Sequence, residues 1–331
     1  HRACGSLPSD ELWAGGKKKS GVETVVTATL NVLPLAVAGG LGGLLAWGIL
    51  EPFTHDDATV SSLGEVLRDM ALFGAGMGGC IAMAIGAVEG VSAANLRRAL
   101  EGAGLGLLIG VVGGAFGGVF GQLLYGSLGG GSTQIPILFQ IAVRTIGWAL
   151  IGAFIGLAPG VLTRSVRKIT NVLLGGLLGG SIGGFLFDPI GLIFGGGEIS
   201  RMLALSMLGA VAGAAIGLIE EMRKEAWLVI TGGPLAGKQF ILYNEVTTIG
   251  RSPKADIMLA KEPAAIALHC RITRSGQQLT LEDLSGGATL VNGRSVPRAT
   301  LRNGSVITIG DTQLSYYERA TSAEPGPERL G

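Results

Sequence analysis

The chain has 331 residues, of which 48% are hydrophobic and only 15% charged, and its net charge is +1. Ordinary soluble domains carry about 25% charged residues, so a single soluble globule is excluded, and near-neutrality gives no ground for a nucleic-acid partner. Three scattered cysteines (Cys4, Cys80, Cys270) and three histidines support neither a disulfide framework nor a metal site, and no cofactor is expected.

Residues 1–22 read as an N-terminal cytoplasmic tail ending near the basic run Lys17-Lys18-Lys19. The apolar stretch that follows is too long and starts too late for a signal peptide. Residues 23–222 are almost free of charge outside short connectors. Uncharged runs at 24–50, 70–88, 102–143, 145–163, 169–187 and 202–219 hold helices of the ~20 residues that span a bilayer core, the third about 102–124 and the fourth about 141–163 with Arg144 near its start, which predicts a polytopic domain of about six transmembrane helices. The connectors after the even-numbered helices carry Arg97 and Arg98, then Arg164, Arg167 and Lys168, then Arg223 and Lys224. The opposite loops carry Glu51, Asp56, Asp57, Glu65, Asp188 and Glu198. Lys and Arg favour the cytoplasmic side, so the expectation is a multi-pass protein of the cell membrane with both termini cytoplasmic and an even number of spans.

The helices are glycine-rich at four-residue spacing, the pattern of a glycine zipper. Arg144 is followed by Gly152, Gly156 and Gly160, and Arg201 at the same offsets by Gly209, Gly213 and Gly217. Arg68 is followed by the small residues Gly76, Cys80 and Ala84. Asn31-Val32-Leu33 and Asn171-Val172-Leu173 open two similar glycine-paired helices, and a third has Gly102, Gly106, Gly110, Gly114 and Gly118. The pattern reads as an internal repeat of three two-helix units. Small residues on one face allow the close backbone approach that holds helices together in lipid. A glycine-lined transport path and association into a homo-oligomer are the other uses of such grooves. Arg68, Arg144 and Arg201 begin repeat helices on the non-cytoplasmic side, where an arginine either snorkels to the interface as an anchor or joins an anion site.

From residue 227 the texture changes to short apolar runs at 227–230, 239–242, 246–249, 257–259, 268–272, 279–281, 306–309 and 313–316. Turn pairs such as Ser275-Gly276, Gly286-Gly287, Asn292-Gly293 and Asn303-Gly304 separate them. This predicts an all-β antiparallel sandwich over 223–319, followed by a disordered tail over 320–331. Gly232 to Lys238 imitates a phosphate-binding GxxxxGK loop. Gln239 replaces its Ser/Thr and a strand follows instead of a helix, so the glycines read as a hairpin turn.

Thr248-Ile249-Gly250-Arg251-Ser252, Ala255-Asp256-Ile257-Met258-Leu259, His269, Thr289-Leu290-Val291-Asn292-Gly293 and Leu301-Arg302-Asn303-Gly304 follow in the order and spacing of the forkhead-associated (FHA) domain, which residues 227–318 resemble. The resemblance implies a β-sandwich whose loops at one end read phosphothreonine peptides. It implies Arg251 as the phosphate cation, Ser252 and Thr289 as further contacts, and Gly250, His269 and Asn292 as loop braces. The family's Ser three residues before the His is Ile266 here, and its peptide-holding Asn and the following Gly are Gly287 and Ala288, so the phosphothreonine motif is degenerate. The function expected is a membrane-anchored interaction or scaffold protein in signalling, docking a phosphothreonine-containing protein. The alternative is a channel or transporter regulated by the FHA-like domain. With no nucleophile–base pair or carboxylate dyad, an enzyme is not expected; His55-Asp56-Asp57 reads as solvated loop charge.

Overall fold

A computed structural model of the chain describes residues 21–53, 62–128, 136–163, 165–195 and 197–319. The tails at 1–20 and 320–331, the His55-Asp56-Asp57 loop, Arg164 and most of the 127–136 connector lie outside the described residues. Six helices come first: α1 (Gly21–Leu50), α2 (Leu63–Ser92), α3 (Leu96–Ser127), α4 (Ile137–Thr163), α5 (Val166–Ile193) and α6 (Gly197–Arg223). All six are long and apolar enough to cross a membrane. All six outrun the helical stretches expected from sequence. Their ends hold charges such as Arg68, Arg97 and Lys168, and a charged side chain in a terminal turn can still reach a polar partner without breaking the backbone ladder. Ser62 and Glu65 form a reciprocal capping box at the start of α2. Asn95 caps α3 by accepting the Arg98 N–H at 3.1 Å.

The helices close into a ring in which α6 returns to α1. Three seams are backbone-to-backbone glycine contacts: Gly74 on Gly114 and Gly78 on Gly110 between α2 and α3, Gly152 on Gly176 between α4 and α5, and Gly39 on Gly209 between α1 and α6. The intervening seams also set glycine against larger residues, Gly42 against Ile81, Gly113 against Phe154 and Gly175 against Ile216, and between α3 and α4 Gly121 meets Gly147. Small residues occupy two faces of α2: the one counted from Arg68 (Gly76, Cys80, Ala84) meets α1 at Leu50 and Gly42, while Gly74, Gly78 and Gly86 face α3. Met77, Ile81, Ile85, Ile155, Leu205 and Leu208 pack together inside the bundle, so these glycines sit at helix seams rather than around a lumen.

Eleven strands follow, paired in two sheets. The first has the order β2 (Gln239–Ile241), β1 (Ala226–Gly232), β11 (Thr312–Glu318), β10 (Val306–Ile309), β7 (Thr289–Val291), β8 (Arg294–Ser295). The second has the order β4 (Ile257–Met258), β3 (Val246–Gly250), β5 (Cys270–Ser275), β6 (Gln278–Asp283), β9 (Arg298–Thr300). Leu228, Ile230, Ile249, Cys270, Leu281 and Ile307 fill the space between them. Two expectations are corrected. The β3–β4 pair is parallel, and three short strands, β7 to β9, had no apolar run long enough to reveal them. Asn292 and Gly293 both have positive φ (51° and 77°), the primed turn that joins β7 to β8 in register.

Candidate functional site

The loops at one end of the sandwich gather most of the residues named from the resemblance. β3 ends at Gly250, where a Cβ would collide with the Ala267 carbonyl; this contact draws the 251–256 and 264–269 loops together. The Arg251 N–H donates to the Ile266 carbonyl at 2.8 Å and the Ser252 N–H to the Ala267 carbonyl at 3.1 Å. Arg251 is exposed, and its guanidinium has no ion pair or hydrogen bond among the described residues. Ser252 is half-buried, its Oγ accepting from the Lys254 N–H at 3.2 Å. Ile266, at the position of the missing hydroxyl donor, is 46% exposed.

His269 is buried and accepts the Ile266 N–H on Nδ1 at 3.3 Å, so it braces the 264–269 loop as expected. Burial pushes its pKa down, and the nearby Asp283 carboxylate and Ala288 backbone only partly oppose this, which suits a neutral imidazole that accepts on Nδ1. Asn292 accepts the Val306 N–H on Oδ1 at 2.9 Å and pins the β7–β8 turn to β10. Thr289 is placed differently from its expected role as a peptide contact. It is fully buried and its hydroxyl donates to Asp283, so it holds the loop from beneath.

Asp283, which lies in the Leu281–Ser285 stretch of the FHA resemblance but was given no role from it, organises this loop. It accepts the Ser285 N–H at 3.2 Å, the Ser285 hydroxyl at 2.5 Å, the Gly287 N–H at 2.6 Å and the Thr289 hydroxyl. Ser285 Oγ in turn accepts the Ala288 N–H at 3.1 Å. Burial works to raise the Asp283 pKa, but these donors outweigh it and hold the carboxyl at about 2. An Asp followed by Ser and two glycines is the local signal that could have exposed it. A carboxyl with a depressed pKa stabilises the fold above its ordinary value and loses that contribution as pH falls through the depressed one. The contribution is at most about 2 kcal/mol, since the group is part-exposed. Hydrogen-exchange protection at Gly287 should therefore be full at neutral pH and collapse as pH drops from about 4 towards 2. Asp283→Asn should cost roughly tenfold in protection already at pH 7. Unchanged exchange in that variant would remove Asp283 from this role.

Arg68, Arg144 and Arg201 each find their own partner. Arg201 makes a bidentate bond to Glu51 at 2.6 and 3.0 Å, joining the start of α6 to the residue that follows α1. Arg68 pairs with adjacent Asp69 at 3.0 Å on an exposed face. Arg144 lies over the Tyr125 ring, 5.2 Å from its centroid.

A second cluster lies where the sandwich meets the bundle. The basic connectors and the β-domain share one end of the molecule. Asn95 Nδ2 donates to the Pro253 carbonyl at 3.0 Å, Arg98 to the Asp256 carbonyl at 2.9 Å, Ser165 Oγ to the Tyr243 carbonyl at 3.3 Å, and Lys238 to the Ser92 carbonyl. The glycine run before Lys238 is a turn between β1 and β2, as expected. A cavity of about 210 Å³ under the sandwich is lined from all six helices, by Pro34, Ile85, Arg98, Pro159, Lys168 and Glu220. Lys168 is 2% exposed, ion-paired to Glu89, 3.9 Å from Glu220, and 5.5 Å from the Tyr243 ring centroid. The Tyr243 hydroxyl donates to Glu220 at 3.2 Å, and burial, followed by the Glu220 charge, raises its pKa.

Comparison with known proteins now bears on the β-domain. The FHA domain family matches residues 247–310. The oxoglutarate dehydrogenase inhibitor of Corynebacterium jeikeium is 33% identical over 99 residues, 30% of this chain and 68% of that protein. The glycogen accumulation regulator GarA of Mycolicibacterium smegmatis is 30% identical over 131 residues, 39% of this chain and 79% of that one. The solved FHA domain of the CT664 protein from Chlamydia trachomatis is 25% identical, with 29% of this chain aligned to all of it at a TM-score of 0.27.

Proposed function

The chain belongs to the FHA-domain family through residues 247–310, and on that premise we propose that it is a membrane-anchored binding protein whose β-domain docks a phosphothreonine-containing protein through Arg251. The observation that carries this is the exposed, unpaired guanidinium of Arg251, set beside Ser252 in a loop braced by Gly250 and His269. A cation held ready for a phosphate forms charge-assisted bonds that neutral donors only supplement. With Ile266 and Gly287 in place of side-chain donors, affinity concentrates on that one residue. Anchoring rests on the six helices and on their outward faces, where Leu41, Leu44, Leu72, Leu108, Leu178 and Leu218 lie exposed. The basic connectors at the β-domain end support a cytoplasmic placement of that domain. GarA is named a regulator of glycogen accumulation and the other relative an inhibitor of oxoglutarate dehydrogenase, which supports a regulatory binding role over an enzymatic one.

The test is binding of the full chain, reconstituted in lipid nanodiscs, to a phosphothreonine peptide library. Arg251→Ala should weaken the best ligands roughly 10–100-fold, the worth of a charge-assisted contact. Equal binding by both forms would overturn the assignment of Arg251. A chain that stays in the aqueous fraction without detergent would overturn the anchoring.

A further inference from the structure

Beside the Asn95–Pro253 contact, a groove of about 460 Å³ opens between the start of α3, the end of α4 and the 253–256 loop. Its charged lining is Arg97, Arg98 and Lys254 against Glu101 and Asp256. Arg97 is paired with Glu101 at 2.7 Å, and both are exposed. Arg98 is paired with Glu89 at 3.3 Å. Asp256 turns inward and accepts from the Thr248 N–H and hydroxyl at 2.8 and 2.7 Å. Lys254 is exposed and has no acidic partner among the described residues. The lining of the groove therefore carries one uncompensated positive charge, on Lys254, with the Arg97 guanidinium shared with Glu101 beside it.

Directly below it the surface changes character. Counting from Arg97 by helical turns reaches Leu100, Gly104, Leu108 and Val111 on one face of α3. Leu100 and Leu108 are 64% and 62% exposed, and nothing lies within 4 Å of where a Cβ on Gly104 would sit. A cationic recess at one end of an open apolar strip matches an amphiphile that has an anionic head and hydrocarbon chains.

We propose that this groove binds an anionic phospholipid, with its phosphate between Lys254 and Arg97 and its acyl chains along α3. The inference rests on the anchoring read above. A bound peptide or free phosphate would use the cations and leave the apolar strip bare, whereas a lipid uses both, and juxtamembrane cations of this kind select acidic headgroups. The lipid would also touch the 253–256 loop, next to Arg251, and so fasten the recognition end of the sandwich to the bilayer.

The test is native mass spectrometry of the detergent-solubilised full chain with equimolar phosphatidylglycerol and phosphatidylcholine. Wild type should retain one phosphatidylglycerol with about tenfold preference. Lys254→Gln with Arg97→Gln should cut that preference at least fivefold, while Arg294→Gln on the distant β8 should not. Inorganic phosphate should fail to displace the lipid. Equal retention of the two lipids, an unchanged preference in the double variant, or displacement by phosphate alone would each overturn the proposal. A chain that needs detergent to stay in solution yet shows no preference would leave the anchoring intact and remove only the lipid site.

Discussion

Gly114→Val should yield no stably folded chain: solubilised protein should elute as aggregate or melt at least 10 °C below wild type, while Gly104→Val should behave as wild type. Both glycines lie in α3, and both substitutions change helix propensity equally. They differ in what the new side chain meets. A Cβ at Gly114 falls inside the van der Waals shell of the Gly74 carbonyl oxygen, and one at Gly104 meets nothing. Overpacking a core with methylenes costs typically ~1–3 kcal/mol when neighbouring side chains can move. Here the obstacle is the backbone of α2, so relief requires the two helices to separate. Separation would also lift Gly110 off Gly78 and Gly102 off Gly86. In the membrane placement proposed above, lipid would supply no hydrophobic drive to restore the contact, so the loss would spread along the seam. Equal melting of the two variants would refute the backbone-contact account.

The second large effect is expected at Lys168. Lys168→Met should lower the melting temperature of the full chain by roughly 10 °C and raise hydrogen exchange at Tyr243 and Asn244. The charge is almost fully buried, and it neutralises Glu89 from α2 and Glu220 from α6. Removing one partner of a buried pair costs roughly 3–5 kcal/mol, because the remaining charge is stranded. At ~2–4 °C per kcal/mol for a unit of this size, that gives the stated shift. Arg98 lies 3.3 Å from Glu89 and takes up part of its charge. Adding Glu89→Gln to Lys168→Met should recover a good share of the loss, since methionine fills the lysine's volume and the stranded charge is gone. A double variant no more stable than the single would show that the cost comes from lost packing instead.

These two residues mark what could and could not be read from the sequence. One face of α3 is legible, because glycine every four residues falls on one side of a helix, and Gly102, Gly106, Gly110, Gly114 and Gly118 all lie on the seam with α2. The face of α2 is not, because its small residues run in two registers and only the packing chooses between them. Gly250, Arg251, His269 and Asn292 could be named through the resemblance to the FHA domain, whose motifs are short and local in the sequence. Lys168 read as one more basic residue in a connector. Its burial arises from the β-domain settling over the bundle end, a contact between segments that no local pattern encodes. Asp283 was passed over for a related reason, since its donors arrive from a loop whose path becomes clear only when folded.

The seam between Gly39 and Gly209 sets an order of events during synthesis. The first helix leaves the ribosome long before the sixth exists, and at ~5–20 residues per second it must wait on the order of ten seconds or more for its partner. Over that interval the face bearing Gly39 and Gly43 waits for α6 while Gly42 already meets α2, and in the proposed membrane any neighbouring glycine-faced helix would compete for it. Truncations that stop before α6 should thus be the forms that cells degrade fastest, whatever the state of the helices already made.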